Sequence, residues 1–210
     1  MKNGRLAFLL AGALLAAAPP AEGQTDSSIA LGLSFGVTDP LDGQADTSAR
    51  PGILLRLRGS AGLGSTIGFH WFSSAVRNTI AGQEVPLGRV TVRPVMFGPE
   101  YVWESGRLSV AASLQAGVAF TKIRDTGRAK QAYEGGAGLT GVGLGVSNAF
   151  AWCPNLSAWV DLGPRFAVMA SLGYLGVRPT LTTTSSAGTM REKLDLGSVV
   201  TSVGIVYALF

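Results

Sequence analysis

Ser28-Ile29-Ala30-Leu31-Gly32-Leu33-Ser34-Phe35-Gly36-Val37 carries a large apolar side chain at every odd position and Ser, Ala or Gly at every even one. Successive side chains of a β-strand point to opposite faces, so this stretch has one bulky apolar face and one of very small residues. A helix would smear both sets around its axis. The pattern fits the wall of a narrow closed barrel, apolar outside and crowded inside.

The same alternation recurs along the chain. Over 107–122 the outward set is Leu108, Val110, Ala112, Leu114, Ala116, Val118 and Phe120. Over 52–59, Ile53, Leu55 and Leu57 face out, which sends Arg56 and Arg58 inward. Over 64–75, Ile67, Phe69 and Trp71 face out, with Thr66, Gly68 and His70 inside. In 89–103, Val90 and Val92 share one parity while Val95, Phe97, Tyr101 and Trp103 share the other. That change of phase predicts a β-bulge near Pro94, with Arg93 and Glu100 on the inner face.

Toward the C-terminus, 165–177 alternates with Phe166, Val168, Ala170, Leu172 and Tyr174 outward. Two segments compete to be its partner, 138–146 and 149–162. The second is preferred because it allows a turn at Gly163-Pro164, and it places Asp161 inside and Pro154 at a bulge. Trp159 then has inward parity. The final strand, 194–210, runs without a turn signal to Phe210, with Tyr207, Ile205 and Val203 in one phase and Ala208, Val206 and Gly204 in the other.

Short connections fall near 60–62, 104–106 and 163–164, and long ones at 38–50, 76–88, 123–148 and 179–193. Long and short alternate over eight strands, with both ends of the chain on the short side. Transmembrane barrels show this asymmetry, with short periplasmic turns and long extracellular loops. Closure is obligatory there, since an unpaired backbone group in hydrocarbon costs several kcal/mol. The expectation is therefore an all-β, eight-stranded antiparallel up-and-down barrel.

The address agrees. Residues 1–23 read as a secretory signal peptide: Lys2 and Arg5, then an apolar run over 6–18 too short to span a bilayer, with cleavage expected after Gly23. The mature domain is then 24–210. Removing Gly4, Gly12 and Gly23 from the 29 glycines leaves 26 in 187 residues, about twice the usual frequency of roughly 7%. Beyond the signal no uncharged apolar stretch approaches the length of a membrane helix. Removing Lys2, Arg5 and Glu22 from 17 basic and 13 acidic residues leaves a mature charge of +3, suited to anionic lipid headgroups. The basic residues are scattered and no recognised module appears, so nucleic acid is not an expected partner. Cys153 stands alone, which excludes an internal disulfide and reads as a small buried residue.

From the strand pattern, the loop asymmetry and the terminal Phe210, the chain resembles the small outer-membrane β-barrel families, the opacity-type and outer-membrane-protein-A-like eight-stranded barrels. The resemblance implies residence in the outer membrane of a diderm bacterium, contact with its lipids, and insertion by the barrel-assembly machinery through a signal in the last strand, here Tyr207 and Phe210. No peptidoglycan-binding domain follows, so no cell-wall tether is implied.

The candidate site is a lumen charge cluster: Arg56, Arg58, Arg93, Glu100 and Asp161, with His70. A charge on the lipid face would cost roughly 2–4 kcal/mol at the midplane, which sends these groups inward. Paired charges would plug a barrel this narrow; an unpaired cationic lining would instead favour anions. The expected role is structural or surface-interacting, without enzyme activity and without a cofactor or metal. A narrow anion-preferring channel is the first alternative. A lipid-modifying enzyme using His70 is the second, weakened because Ser73 points to the opposite face. Gly136-Ala137-Gly138-Leu139-Thr140-Gly141 spells GxGxxG but has no strand before it and no helix after, so it reads as chance in a glycine-rich loop. The segment through Gly145 is unusually apolar for an exposed loop and is expected to fold over or into the barrel mouth. The stretch 180–186 reads as solvated loop, and the four long loops are the expected contact surface for any extracellular ligand.

Overall fold

The computed structural model describes residues 29–41, 45–58, 62–80, 83–125, 127, 131, 135 and 140–209. The expected signal peptide, Phe210 and residues 136–139 of the glycine motif lie outside them. The described strands are β1 (Ile29–Pro40), β2 (Ser48–Arg58), β3 (Leu63–His70), β4 (Phe72–Ile80), β5 (Gln83–Ser105), β6 (Leu108–Asp125), β7 (Gly143–Val146), β8 (Ala149–Asp161), β9 (Phe166–Val177), β10 (Thr180–Ser185), β11 (Gly188–Lys193) and β12 (Ser198–Ala208).

Eight staves close into an antiparallel barrel. Following the hydrogen bonds, the order is β1, β2, β3 with β4, β5, β6, β8, β9 and β12, which returns to β1. Strands β3 and β4 form one stave. Both pair with β5 in unbroken register across Trp71, from Phe69↔Val95 to Phe72↔Val92, and the Trp71 N–H donates to the Pro51 carbonyl at 3.1 Å. Closure is complete at the chain ends, where the Leu209 N–H donates to the Ile29 carbonyl at 2.8 Å.

Alternation of exposure follows the sequence pattern. In β1, Leu31, Leu33, Phe35 and Val37 are exposed while Gly32, Ser34 and Gly36 are buried. Bulk outside and small residues inside are what a narrow cylinder requires. The exposed apolar surface continues around the wall and is bounded by aromatic residues: Tyr101, Trp103 and Phe166 near the short-turn end, and Phe35, Phe120, Phe150 and Trp152 toward the other. This band matches the lipid-facing belt and aromatic girdles of transmembrane barrels. Tyr207 packs on Phe166 with ring centroids 5.0 Å apart and accepts a hydrogen bond from Arg165 at 3.2 Å.

Two expected bulges are absent. Over 89–103 strand β5 keeps one phase: Val90, Val92, Pro94, Met96 and Glu100 face in, and Arg93, Val95, Phe97 and Tyr101 face out. The parity conflict resolves because the outer half of the lumen is itself apolar, so Val90 and Val92 belong inside. Pro154 also sits in β8 without a shift. The β6–β8 register runs unbroken through Leu114↔Pro154, and only the ladder to β9 skips Cys153 and Pro154. The one register shift along β4 and β5 lies farther out, between Val76 and Arg77.

The long connections carry more structure than expected. The segment 76–88 is mostly the continuation of β4 and β5. Residues 180–186 are not solvated loop: Leu181 and Thr183 on β10 are buried, and β11-β10-β7 form a small separate sheet. Val142 and Leu181 join Phe72, Val90, Val92, Met96, Leu175 and Val177 in one buried apolar cluster. The outer half of the barrel is therefore filled and capped by its own loops.

Candidate functional site: a closed polar lumen

Below that apolar half the lumen is polar. Alternation carries Arg56 inward from β2, Thr66 from β3, Glu100 from β5 and Trp159 from β8. The Arg56 Nε–H donates to Glu100 Oε1 at 2.5 Å, and the Thr66 hydroxyl donates to Glu100 Oε2 at 3.2 Å. The guanidinium lies 4.4 Å from the centroid of the Trp159 ring, whose indole N–H donates to Ser157 Oγ at 2.9 Å. Trp159 packs with Leu54, Met169 and Val206. A charge pair, an aromatic plate and three aliphatic side chains thus meet across the barrel axis.

Arg58, one pleat nearer the short turns, pairs with Glu104 and is only half-buried. Asp161 is buried and lines a cavity of about 30 Å³ with Arg56, Arg58, Trp159 and Arg165. Four of the expected cluster, Arg56, Arg58, Glu100 and Asp161, are therefore together. Arg93 is not among them. It is exposed on the outer wall, opposite Phe120 in the ladder, because β5 has no bulge to turn it inward.

His70 occupies the lumen above the plug, where two glycines make room for it. A Cβ at Gly52 would run into His70 Nδ1, and one at Gly68 would meet His70 Nε2 at 3.2 Å. His70 lines a cavity of about 40 Å³ with Arg50, Gln115 and Cys153, room for two or three water molecules. His70 Nδ1, Gln115 Oε1 and Arg50 Nε are buried there without a hydrogen-bond partner among the described residues. Water in the cavity would satisfy them. Ser73 is held on the opposite face by a 2.8 Å hydrogen bond with Thr91, and Asp161 lies in the other cavity.

Sequence reasoning missed Arg50 and Glu104. Arg50 falls in the long connection 38–50 of the sequence reading, yet it shares the parity of Arg56 and Arg58, and the alternation extends back to it through Leu54 and Gly52. Glu104 falls in the short connection 104–106 of the sequence reading, but it continues the inward set Glu100 and Val102 and pairs with Arg58.

No family model matches the sequence, and no curated protein resembles it at the sequence level. The fold does have counterparts among solved structures. The outer membrane protein OprG from Pseudomonas aeruginosa superposes with a TM-score of 0.71 at 13% identity, covering 86% of this chain and 95% of that one. A major outer membrane protein from Thermus thermophilus gives 0.53 at 11% identity, over 85% of this chain and 98% of that one. AlkL in lipid bilayers gives 0.52 at 15% identity, over 92% and 94%. The likeness is one of fold, that of the small outer-membrane β-barrels.

Proposed function

We propose that this outer-membrane β-barrel is a non-enzymatic, plugged barrel that acts through its outer surface and its place in the membrane rather than by conducting solute. In this reading the chain is exported by a cleaved signal over 1–23 and inserted by the barrel-assembly machinery, with Tyr207 in the recognised last strand. The observation that carries the proposal is the Arg56–Glu100 pair beneath Trp159, which joins three walls across the axis. Lumen cavities of about 40 and 30 Å³ leave room for only a few waters each, and the apolar cluster under the loops adds a second obstruction. His70 has neither a nucleophile nor a carboxylate as a hydrogen-bond partner among the described residues, which supports the non-enzymatic reading.

Single-channel recording of refolded protein in a planar bilayer tests this, with heat-shifted gel mobility as proof of folding. Folded protein should give no discrete steps. Steps whose ion preference changes on reversing Arg56 and Arg58 would replace the plug with an anion-preferring path. That second reading draws on Arg50, a buried cation with no carboxylate partner among the described residues.

A further inference from the structure

Where the apolar belt ends on one wall, the outward positions turn cationic. Arg89 and Arg93 on β5, and Lys122 and Arg124 on β6, are all exposed. The next outward residues toward the membrane centre are Val95 and Phe97 on β5, and Phe120 and Val118 on β6, between 40% and 56% exposed. The four cations therefore lie at headgroup depth on the side of the long loops.

Their register is unfavourable unless something sits between them. Arg89 stands directly opposite Arg124, Thr91 opposite Lys122, and Arg93 opposite Phe120. Directly opposed side chains on one face have Cβ atoms about 4.5–5.5 Å apart, and like charges there repel. Two other cations at this end have counter-ions: Arg77 pairs with Asp46 at 3.2 Å and Arg178 with Asp195 at 2.9 Å. Among the described residues none of the four has an ion-pair or hydrogen-bond partner, whereas β1 presents the acidic Asp39 past the belt.

We infer that this wall binds a phosphate-bearing lipid of the outer leaflet. A guanidinium grips phosphate through two parallel N–H donors, so one phosphate between Arg89 and Arg124 would turn their repulsion into a bridge. Lys122, one pleat nearer the membrane than Arg124, and Arg93, two pleats nearer than Arg89, provide for a second anionic group. The lipid's acyl chains then descend over Val95, Phe97, Val118 and Phe120, which a free anion would leave uncovered. The inference deepens the surface role proposed above and rests on it. The two fail separately, since conductance steps would remove the plug and leave lipid binding intact.

The test uses refolded full-length barrel in detergent micelles, titrated with bisphosphorylated lipid A, with the same lipid after enzymatic dephosphorylation, and with sodium phosphate. Retention on the affinity-captured protein and the temperature of the heat-shifted gel transition are read together. The phosphorylated lipid should be retained and raise the transition, and Arg89→Gln/Arg124→Gln should weaken retention at least about tenfold. Arg107→Gln, in the short turn at the opposite end of the barrel, should bind like the wild type and is the charge control for Arg89→Gln alone. Equal retention of the dephosphorylated lipid, or an unchanged double variant, would overturn the proposal. So would displacement of the lipid by millimolar phosphate, which would make this a simple anion site. Should the double variant fail to refold, Arg89→Gln alone carries the same comparison.

Discussion

Arg56 and Glu100, 44 positions apart in the chain, meet at 2.5 Å inside the barrel with side chains only 12% and 3% exposed. Taking one ion of such a pair away strands the other in a medium that solvates it poorly, at a cost of about 3–5 kcal/mol. Glu100→Ala should therefore lower the unfolding free energy in urea by about that amount. Arg56→Met/Glu100→Met should recover much of the loss, because both desolvation costs disappear with the charges. Additive losses in the double variant would mean the two residues do not act as a pair.

The two faces of the wall should respond oppositely to a new charge. Ile205 is 59% exposed, and in water its replacement would matter little. Against lipid, Ile205→Arg should cost up to about 2–4 kcal/mol, depending on depth. Arg93→Gln, at the rim of the belt, should stay within about 0.5 kcal/mol of wild type. Denaturant titrations of both variants in vesicles decide this, and a harmless Ile205→Arg would contradict the lipid-facing assignment.

Gly52 leaves space for His70 rather than for a turn. Gly52→Ala should destabilise the barrel by about 1–3 kcal/mol through overpacking against the ring. His70→Ala should relieve most of that penalty, giving a coupling energy of about 0.5–3 kcal/mol in a double-mutant cycle. His70→Ala alone should leave membrane-lipid composition unchanged, as a non-enzymatic reading requires.

Cys153 is 3% exposed and faces the lumen from β8. A charged maleimide should fail to label it in the heat-shifted, folded form and label it fully after boiling. Rapid labelling of folded protein would show that bulky solutes reach the middle of the lumen, against the plugged reading.

Much of this was legible without coordinates. The odd–even contrast of Leu31, Gly32, Leu33, Ser34 and Phe35 can be satisfied only by a strand with unlike faces, and eight such stretches with alternating short and long connections require closure in lipid. Parity and the cost of a lipid-facing charge agree in sending Arg56 and Arg58 inward. Arg93 faces out, against its sequence expectation, because the rule that bulky apolar residues face out does not always hold in this barrel. Val90 and Val92 break that rule because a loop-derived cluster, including Val142 and Leu181, fills the outer lumen and accepts them.

The sequence by itself determined the wall: strand periodicity, stave number, which end bears the short turns, and which charges are forced off the lipid face. These follow from local alternation and the price of exposing polar groups to hydrocarbon. Only the tertiary structure decided what the lumen contains and which charges meet. Arg56 finds Glu100, Trp159 lies against Arg56, and Arg50 has no carboxylate partner among the described residues, because the closed register brings distant strands to one level. The β5–β6 register sets Arg89 opposite Arg124. A two-residue period records the face of each side chain but not its neighbour across the barrel, and that neighbour exists only once β12 has paired with β1.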